Sequence, residues 1–504
     1  MLSMEQLSQI VNQHLGLSDH TGEIQHSTKW VIAESPLGGR GLFATEDIKS
    51  GEVLFVDRPL IHGPRSGTIL QRGCTVCNKI ESDTFFKCNK CALLLCSEKC
   101  ENDVVHYDDC GVISGWKNKV PIEDVDDVLL SRTLTPIRAL LLHEDQKKFM
   151  ASLQAHVFPQ HGSEIKELKE YFDITKEDEE LMVLACCVLD ANAFQIATPY
   201  GQKDMSLRGL YPVSALMNHN CVPNTRYSYN SDNQMTVKAV KPIQAGKEIF
   251  TCYSGMLWGT PARRLHLNKT KHFWCMCARC ADPTERGTLL AALKCFNTSC
   301  PGSLLPIDPL KISTAWRCLD CSLKVPYNNI CAIQAALGSL IGSLNFENIY
   351  ELEKFFLTRV TKYVPKTNQI VLDLQCRLIW EFGEVDGHRW HELQESRLAL
   401  KESLCRGTLR TLAALGVGDA HLRGLLLYHL HAALAERARR SPDLYEELKS
   451  EIESTIEQAY NILQGDVSSP PDLELRHKYL GPGCDKTHEE RFFILDASDT
   501  CVST

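Results

Sequence analysis

The sequence predicts an α+β fold in several domains, and three observations carry that expectation. Short strand-like runs broken by glycine turns lie between residues 29 and 61, and more follow between 235 and 251. Cysteines in ordered groups separate these two β-rich stretches and then follow the second. From about Asn329 the apolar period becomes helical. A chain of 504 residues has room for roughly two to four such domains.

In order along the chain, Lys29–Ala33 reads as a strand, and Leu37-Gly38-Gly39-Arg40-Gly41 as a turn whose glycines let backbone approach a ligand. Leu42–Ala44 and Val53–Val56 read as strands around a Ser50-Gly51 turn. The first cysteine group follows as Cys74-x2-Cys77, Cys88-x2-Cys91, Cys96-x3-Cys100 and His106-x3-Cys110. Eight ligands in short-spaced pairs fit two tetrahedral zinc sites. The spacing leaves open which pairs share an ion. Four lysines in this stretch face seven carboxylates from Glu81 to Asp109, a poor balance for gripping nucleic acid. A helical block spans roughly 122–186.

The second β-rich stretch opens at Gly209-Leu210-Tyr211-Pro212 and reaches Asn218-His219-Asn220-Cys221-Val222-Pro223-Asn224. Met235–Val240 and Glu248–Thr251 read as strands, and the stretch ends at Cys252-Tyr253. Taken singly, Asn218 suits a turn, and His219, Tyr253 and Phe273 suit a core. Taken in this order, the segments resemble a SET domain, the fold of protein lysine methyltransferases. A SET domain interrupted by a zinc finger of the MYND type resembles the SMYD family, nearest its SmydA-like branch. The resemblance covers residues 25–288 by motif and the remainder by architecture.

The resemblance implies S-adenosylmethionine as cofactor. It is held by the turn at Gly39, Arg40 and Gly41, by Asn192, Asn218 and His219, by Tyr253, and by Phe273 near the adenine. It implies Tyr253 as the catalytic tyrosine and Phe194 as an aromatic lining the lysine channel. It also pairs the finger's ligands: Cys74, Cys77, Cys96 and Cys100 on one zinc, Cys88, Cys91, His106 and Cys110 on the other. Asn220, Ala215 and Lys271 depart from the family's pattern. Lys271 stands where relatives often carry a channel tyrosine.

Cys275-x-Cys277-x2-Cys280 supplies three ligands of a further site. The family takes the fourth from its NHxC motif, here Cys221, which would pin the post-SET loop over the active site. Cys295-x4-Cys300 and Cys318-x2-Cys321, joined by GSLLPIDPL and a turn with Trp316, read as a zinc ribbon. About four structural zincs per chain are therefore expected. Beyond them, helices are expected over 346–363, 367–382, 387–415 and 419–439, and another after a Ser441-Pro442 start. Leu444, Leu448, Ile452, Ile456 and Leu463 form its apolar stripe, and Gly465 ends it. Stacked pairs of this length resemble a TPR-like domain. The residues after about Ala497 are expected to be mobile.

The expected organisation is thus 25–70 and 187–258 as the two parts of the SET domain, 74–110 as the MYND finger and 115–186 as a helical insert. The post-SET segment is 259–288, the ribbon 289–327, and the TPR-like domain 329–504. A net charge of -9 argues against direct nucleic-acid binding. No apolar run approaches the roughly 20 residues of a membrane helix, and no secretory signal opens the chain. The chain's 23 cysteines therefore read as reduced thiols of a cytoplasmic and nuclear protein, with fifteen of them as zinc ligands and eight unassigned.

Two functions follow. One is a monomeric protein-lysine N-methyltransferase acting on a target lysine of a histone or another protein, in transcriptional regulation. The other is a SET/MYND adaptor or corepressor with weak or no catalysis. In both, the finger is a candidate dock for proline-rich peptides.

Overall fold

The computed structural model describes residues 2–17, 28–65, 72–80, 84–158, 161–202, 205–484 and 486–492. The tail after Ala497 lies outside them. The chain forms two compact units. The first holds Met1–Asn218, Tyr227–Ile249 and Gly465–Ser469, and the second holds His219–Arg226, Phe250–Gln464 and Pro470–Thr504. The chain passes between the two units five times, first at the peptide bond between Asn218 and His219.

The first unit is built on short antiparallel strands. Trp30–Glu34 pairs with Arg40–Ala44, with Trp30 opposite Ala44. Arg40–Ala44 pairs in turn with Glu248–Thr251 through Leu42 and Ile249. Asn218–His219 lies at the far edge of that sheet. A second sheet orders Ile61–Pro64, Leu207–Leu210 and Phe194–Ile196, and a third orders Thr225–Tyr229, Met235–Ala239 and Val53–Asp57. Met235, Val237 and Ala239 point inward on alternate positions, the period-two pattern of a half-buried strand. They share one core with Leu42, Leu210, Tyr211 and Ile249.

The finger belongs to this unit, and Arg138 helps fasten it there. Arg138 ends the helix Asp127–Arg138. Its Nη2 donates to Asp109 Oδ2 at 2.7 Å and its Nη1 to the His62 carbonyl at 2.7 Å. Asp109 is buried beside the ligand Cys110 in the finger helix Val104–Gly115, so losing Arg138 strands a buried charge. An N-terminal helix, Met4–His14, was not legible in advance. Ser3 caps it with a capping box, and His14 Nε2 lies 3.0 Å from the buried Asp57. Asp57 also accepts the backbone amides of Val213 and Ser214, just before the Asn218 motif.

The expected insert boundary at 186 falls inside a helix. Lys176–Asn192 runs unbroken past it, and the consecutive residues Cys186, Cys187, Val188 and Leu189 are all buried, so this stretch of the helix is enclosed on most of its sides. Asn192 is its last residue.

In the second unit, Leu293–Lys294, Ser303–Pro306, Trp316–Cys318 and Lys324–Val325 form a four-stranded sheet in that order. Trp316 sits in a strand opposite Pro306 and Val325, not in a turn, and is buried. Helices Tyr327–Gly342, Ile349–Thr358, Gln369–Glu381, Glu395–Leu415, His421–Arg440, Tyr445–Leu463 and Leu473–Leu480 follow, most of them packed on their sequence neighbours.

Three expectations are corrected here. The expected helix over 387–415 starts only at Glu395, after a turn-rich segment. Ser441 gives no side-chain cap; Pro442–Leu444 is a 3-10 turn, and the α-helix begins at Tyr445. Tyr445, not Leu444, is then the first buried residue of the stripe. Among the described residues no helix is long and apolar enough to cross a membrane.

Candidate active site

The glycine turn and Asn218 meet in the first unit. Asn218 Nδ2 donates to the Arg40 carbonyl at 2.9 Å and to Glu248 Oε1 at 2.7 Å. Glu248 Oε2 accepts from the Ser35 hydroxyl at 3.0 Å, so one buried carboxylate ties both ends of the turn to Asn218. Gly41 has no room for a side chain: a Cβ there would lie 2.4 Å from Glu248 Oε1 and 3.0 Å from Asn218 Nδ2. Gly38 and Gly39 take left-handed φ of 100° and 70°, a conformation that favours glycine. A Cβ at either would meet no described atom within 4 Å. The turn is therefore pinned from inside by Asn218 and open on its outer side, as a backbone cradle for a ligand must be.

Arg40 reaches the Ser152 carbonyl at 2.6 Å. Asn192 donates to the carbonyls of Gln154 and Val188 at 2.7 and 2.8 Å. Phe194 stands edge-on to Tyr211 and Tyr227, with ring centroids 6.1 and 5.5 Å away. These aromatics form an apolar wall in the first unit.

The second unit holds His219, Cys221, Tyr253 and Phe273. The Tyr253 backbone N–H donates to His219 Nδ1 at 2.9 Å. That fixes the ring as the neutral tautomer protonated at Nε2, which lies 3.2 Å from Cys221 Sγ. Burial pushes the His219 pKa down to about 4, in keeping with a neutral ring. Both ring nitrogens are thus engaged, and what His219 offers a cofactor is its backbone. Phe273 packs 5.9 Å from the His219 ring. Asn220 Oδ1 accepts the Val222 amide at 3.0 Å, a local turn bond. Lys271 ends the helix Thr260–Lys271, and its Nζ stands 5.7 Å from the centre of the Tyr253 ring.

Four groups of ligand atoms gather in the fold, each within 4.8 Å: Cys74, Cys77, Cys96, Cys100; Cys88, Cys91, His106, Cys110; Cys221, Cys275, Cys277, Cys280; and Cys295, Cys300, Cys318, Cys321. The test of fit is the tetrahedron's edge. Zinc–sulfur bonds near 2.3 Å place two sulfurs about 3.8 Å apart. Cys96–Cys100 is 3.7 Å, Cys221–Cys275 3.8 Å, Cys221–Cys280 3.5 Å and Cys300–Cys318 3.7 Å. In the finger, His106 Nδ1 donates to the Glu101 carbonyl at 2.7 Å, leaving Nε2 to face the metal. All four groups fit structural zinc, and the interleaved pairing of the finger's ligands stands.

Sequence reasoning missed Glu248, which holds the glycine turn to Asn218, and Arg263, Arg279 and Glu285, which surround the Cys221 and Cys280 ligands. Each is buried, and a buried charge was the signal least visible in a chain of ordinary composition.

Residues 39–254 match the SET domain family. The chain is 30% identical to the SET domain-containing protein SmydA-8, isoform A, of Drosophila melanogaster, over 84% of its own length and 91% of the relative's. It belongs to the SMYD family. Its place is the SmydA-like branch. A second SMYD relative, the histone-lysine N-methyltransferase SMYD3 of Mus musculus, is 24% identical over 62% of this chain and 74% of that one. The N-lysine methyltransferase SMYD2-A of Xenopus laevis is 27% identical over 50% and 61%.

Proposed function

We propose that this SMYD chain is an S-adenosylmethionine-dependent protein-lysine N-methyltransferase with about four structural zincs. The observation that carries the proposal is the doubly held Asn218-His219 pair. Asn218 pins the glycine turn, and the next residue fixes the backbone of Tyr253. When bound, S-adenosylmethionine supplies a methyl group activated by its sulfonium.

The chain's own residues must deliver a neutral amine. A free lysine has a pKa near 10.4, so deprotonating it near pH 7.4 costs roughly 4 kcal/mol. An apolar channel lined by Phe194, next to the sulfonium, disfavours the ammonium form. The Tyr253 hydroxyl orients the amine, and its backbone bond to His219 limits its freedom. Gly39, Arg40, Gly41, Asn192, Asn218, His219 and Phe273 are assigned to the cofactor. The protein substrate is a histone or another protein.

Lys271 favours a second reading. A cation over the Tyr253 ring opposes an incoming ammonium, as in a SET/MYND adaptor or corepressor with weak catalysis. Titration calorimetry with S-adenosylmethionine separates the two. Saturable one-to-one binding supports the enzyme, and no binding favours the adaptor.

In this reading the protein is a monomer of the cytoplasm and nucleus, where thiols stay reduced as these ligand sets require. Proline-rich peptides dock on the finger, whose helix exposes Val104 and Tyr107. The C-terminal helices act as a TPR-like scaffold for the post-SET region.

A further inference from the structure

Two arginines and one glutamate lie without solvent contact beside the post-SET cysteines. Arg263 and Arg279 side chains are fully buried, and Glu285 is 1% exposed. Arg263 Nε donates to Cys221 Sγ at 3.2 Å, and its Nη2 lies 3.5 Å from Cys280 Sγ. The same guanidinium donates to Glu285 Oε2 at 2.6 Å, to Thr260 Oγ1 at 2.8 Å and to the Trp258 carbonyl. Arg279 donates to Glu285 Oε2 at 3.1 Å and to the Cys221 carbonyl at 3.1 Å. Glu285 Oε1 accepts the Thr260 amide at 2.7 Å, at the start of the helix that carries Arg263.

The loop that presents Glu285 is held in an uncommon conformation. Glu285, Arg286 and Gly287 all take positive φ, at 50°, 60° and 76°. Non-glycine residues persist there only when surrounding contacts over-determine them.

The electrostatics explain why this costly arrangement stands. Zinc ligands bind as thiolates, so four of them around one dication keep two net negative charges in a buried site. A structural cluster of that charge needs donors and counter-charge from its surroundings. Arg263 supplies both to two of its sulfurs. Cys221 then receives two donors, Arg263 Nε–H and His219 Nε2–H, and His219 in turn holds the Tyr253 amide.

We propose that Arg263, braced by Glu285 and Arg279, is the positioning residue of the post-SET zinc: it neutralises the Cys221 and Cys280 thiolates and, through Cys221 and His219, sets the backbone of Tyr253. The inference stands on the cysteine cluster and does not depend on methyl transfer.

The test uses the full-length zinc-loaded protein and three variants, Arg263→Gln, Arg263→Lys and Glu285→Gln. Each is held with excess chelator and iodoacetamide, and alkylation at every cysteine is timed by mass spectrometry. In Arg263→Gln, Cys221, Cys275, Cys277 and Cys280 are expected to be alkylated at least about tenfold faster than in wild type, with the ligands of the other three sites unchanged. Arg263→Lys keeps the charge and one donor and is expected to restore most of the protection. Glu285→Gln is expected to fall between the two. A cobalt-loaded sample adds a spectral readout: the thiolate-to-cobalt band of one site in four shifts in Arg263→Gln and returns toward wild type in Arg263→Lys. Should Arg263→Gln not fold, Arg263→Lys decides the matter by its own post-SET alkylation rate against wild type, expected slightly raised at these four cysteines alone. Unchanged post-SET rates, or an equal acceleration at all four sites, would overturn the proposal.

Discussion

The backbone amide of Tyr253 donates to Nδ1 of His219 at 2.9 Å. The other nitrogen of the same ring lies 3.2 Å from Cys221 Sγ. One buried imidazole therefore joins the tyrosine assigned to catalysis with a zinc ligand.

Cys221→Ser tests this link. Serine is a poor zinc ligand, so elemental analysis is expected to fall from about four zincs per chain to about three. Cofactor affinity is expected to fall with it, because His219 and Tyr253 lose their anchor. A variant that loses the zinc yet binds S-adenosylmethionine as wild type does would break the connection.

Gly41→Ala tests the cradle. The new methyl meets Glu248 Oε1 and Asn218 Nδ2, both committed to hydrogen bonds that close the turn. Cofactor affinity is expected to drop about tenfold, or about 1.4 kcal/mol. Unchanged affinity in a calorimetric titration would place the cofactor away from this turn.

The extent to which these features were legible before folding follows from their range. Pairs of zinc ligands a few residues apart are visible locally, so fourteen cysteines and His106 could be picked out by spacing and Cys221 by the family resemblance, and the fold gathers them all. The glycine turn and the Asn218-His219 pair also carry local signatures. What His219 does with its ring did not show, because Cys221 and Tyr253 come to it through folding. Glu248, Arg263 and Glu285 were silent for the same reason. The expected helix over 387–415 overruns its start at Glu395 because Trp390 and Leu393, the apolar residues of 387–394, belong to a turn-rich segment.

Lys271→Tyr tests the channel mouth. Two ammonium groups about 6 Å apart repel by roughly 3 kcal/mol at an effective dielectric of about 20. Lys271 is partly exposed, so screening reduces that figure. Methylation of generic lysine peptides is expected to rise about tenfold, with cofactor binding unchanged. A fall in activity would mean that Lys271 serves this enzyme's own substrate, and peptides with an acidic residue beside the target lysine would then be methylated best by wild type.

Acid sensitivity is expected from His431. Its Nδ1–H donates to the Ile452 carbonyl at 3.0 Å, its Nε2 is buried without a partner, and burial pushes its pKa down to about 3. The unfolded chain, near 6.5, takes up a proton first, so stability is complete above that pH and falls as pH drops toward 3. Between pH 7 and 5 this amounts to about 2 kcal/mol. Wild type is expected to lose more urea resistance over that range than His431→Gln, and equal losses would contradict it.

The central claim is methyl transfer from S-adenosylmethionine to lysine that depends on the Tyr253 hydroxyl. Its most direct measurement is transfer of labelled methyl from S-adenosylmethionine into an undermethylated protein extract, followed by acid hydrolysis and amino-acid separation, with wild type and Tyr253→Phe side by side. The account predicts label in methylated lysine for wild type and a loss of about a hundredfold or more in Tyr253→Phe, with cofactor affinity within a few-fold. Equal labelling by the two proteins, or label on a residue other than lysine, would contradict it.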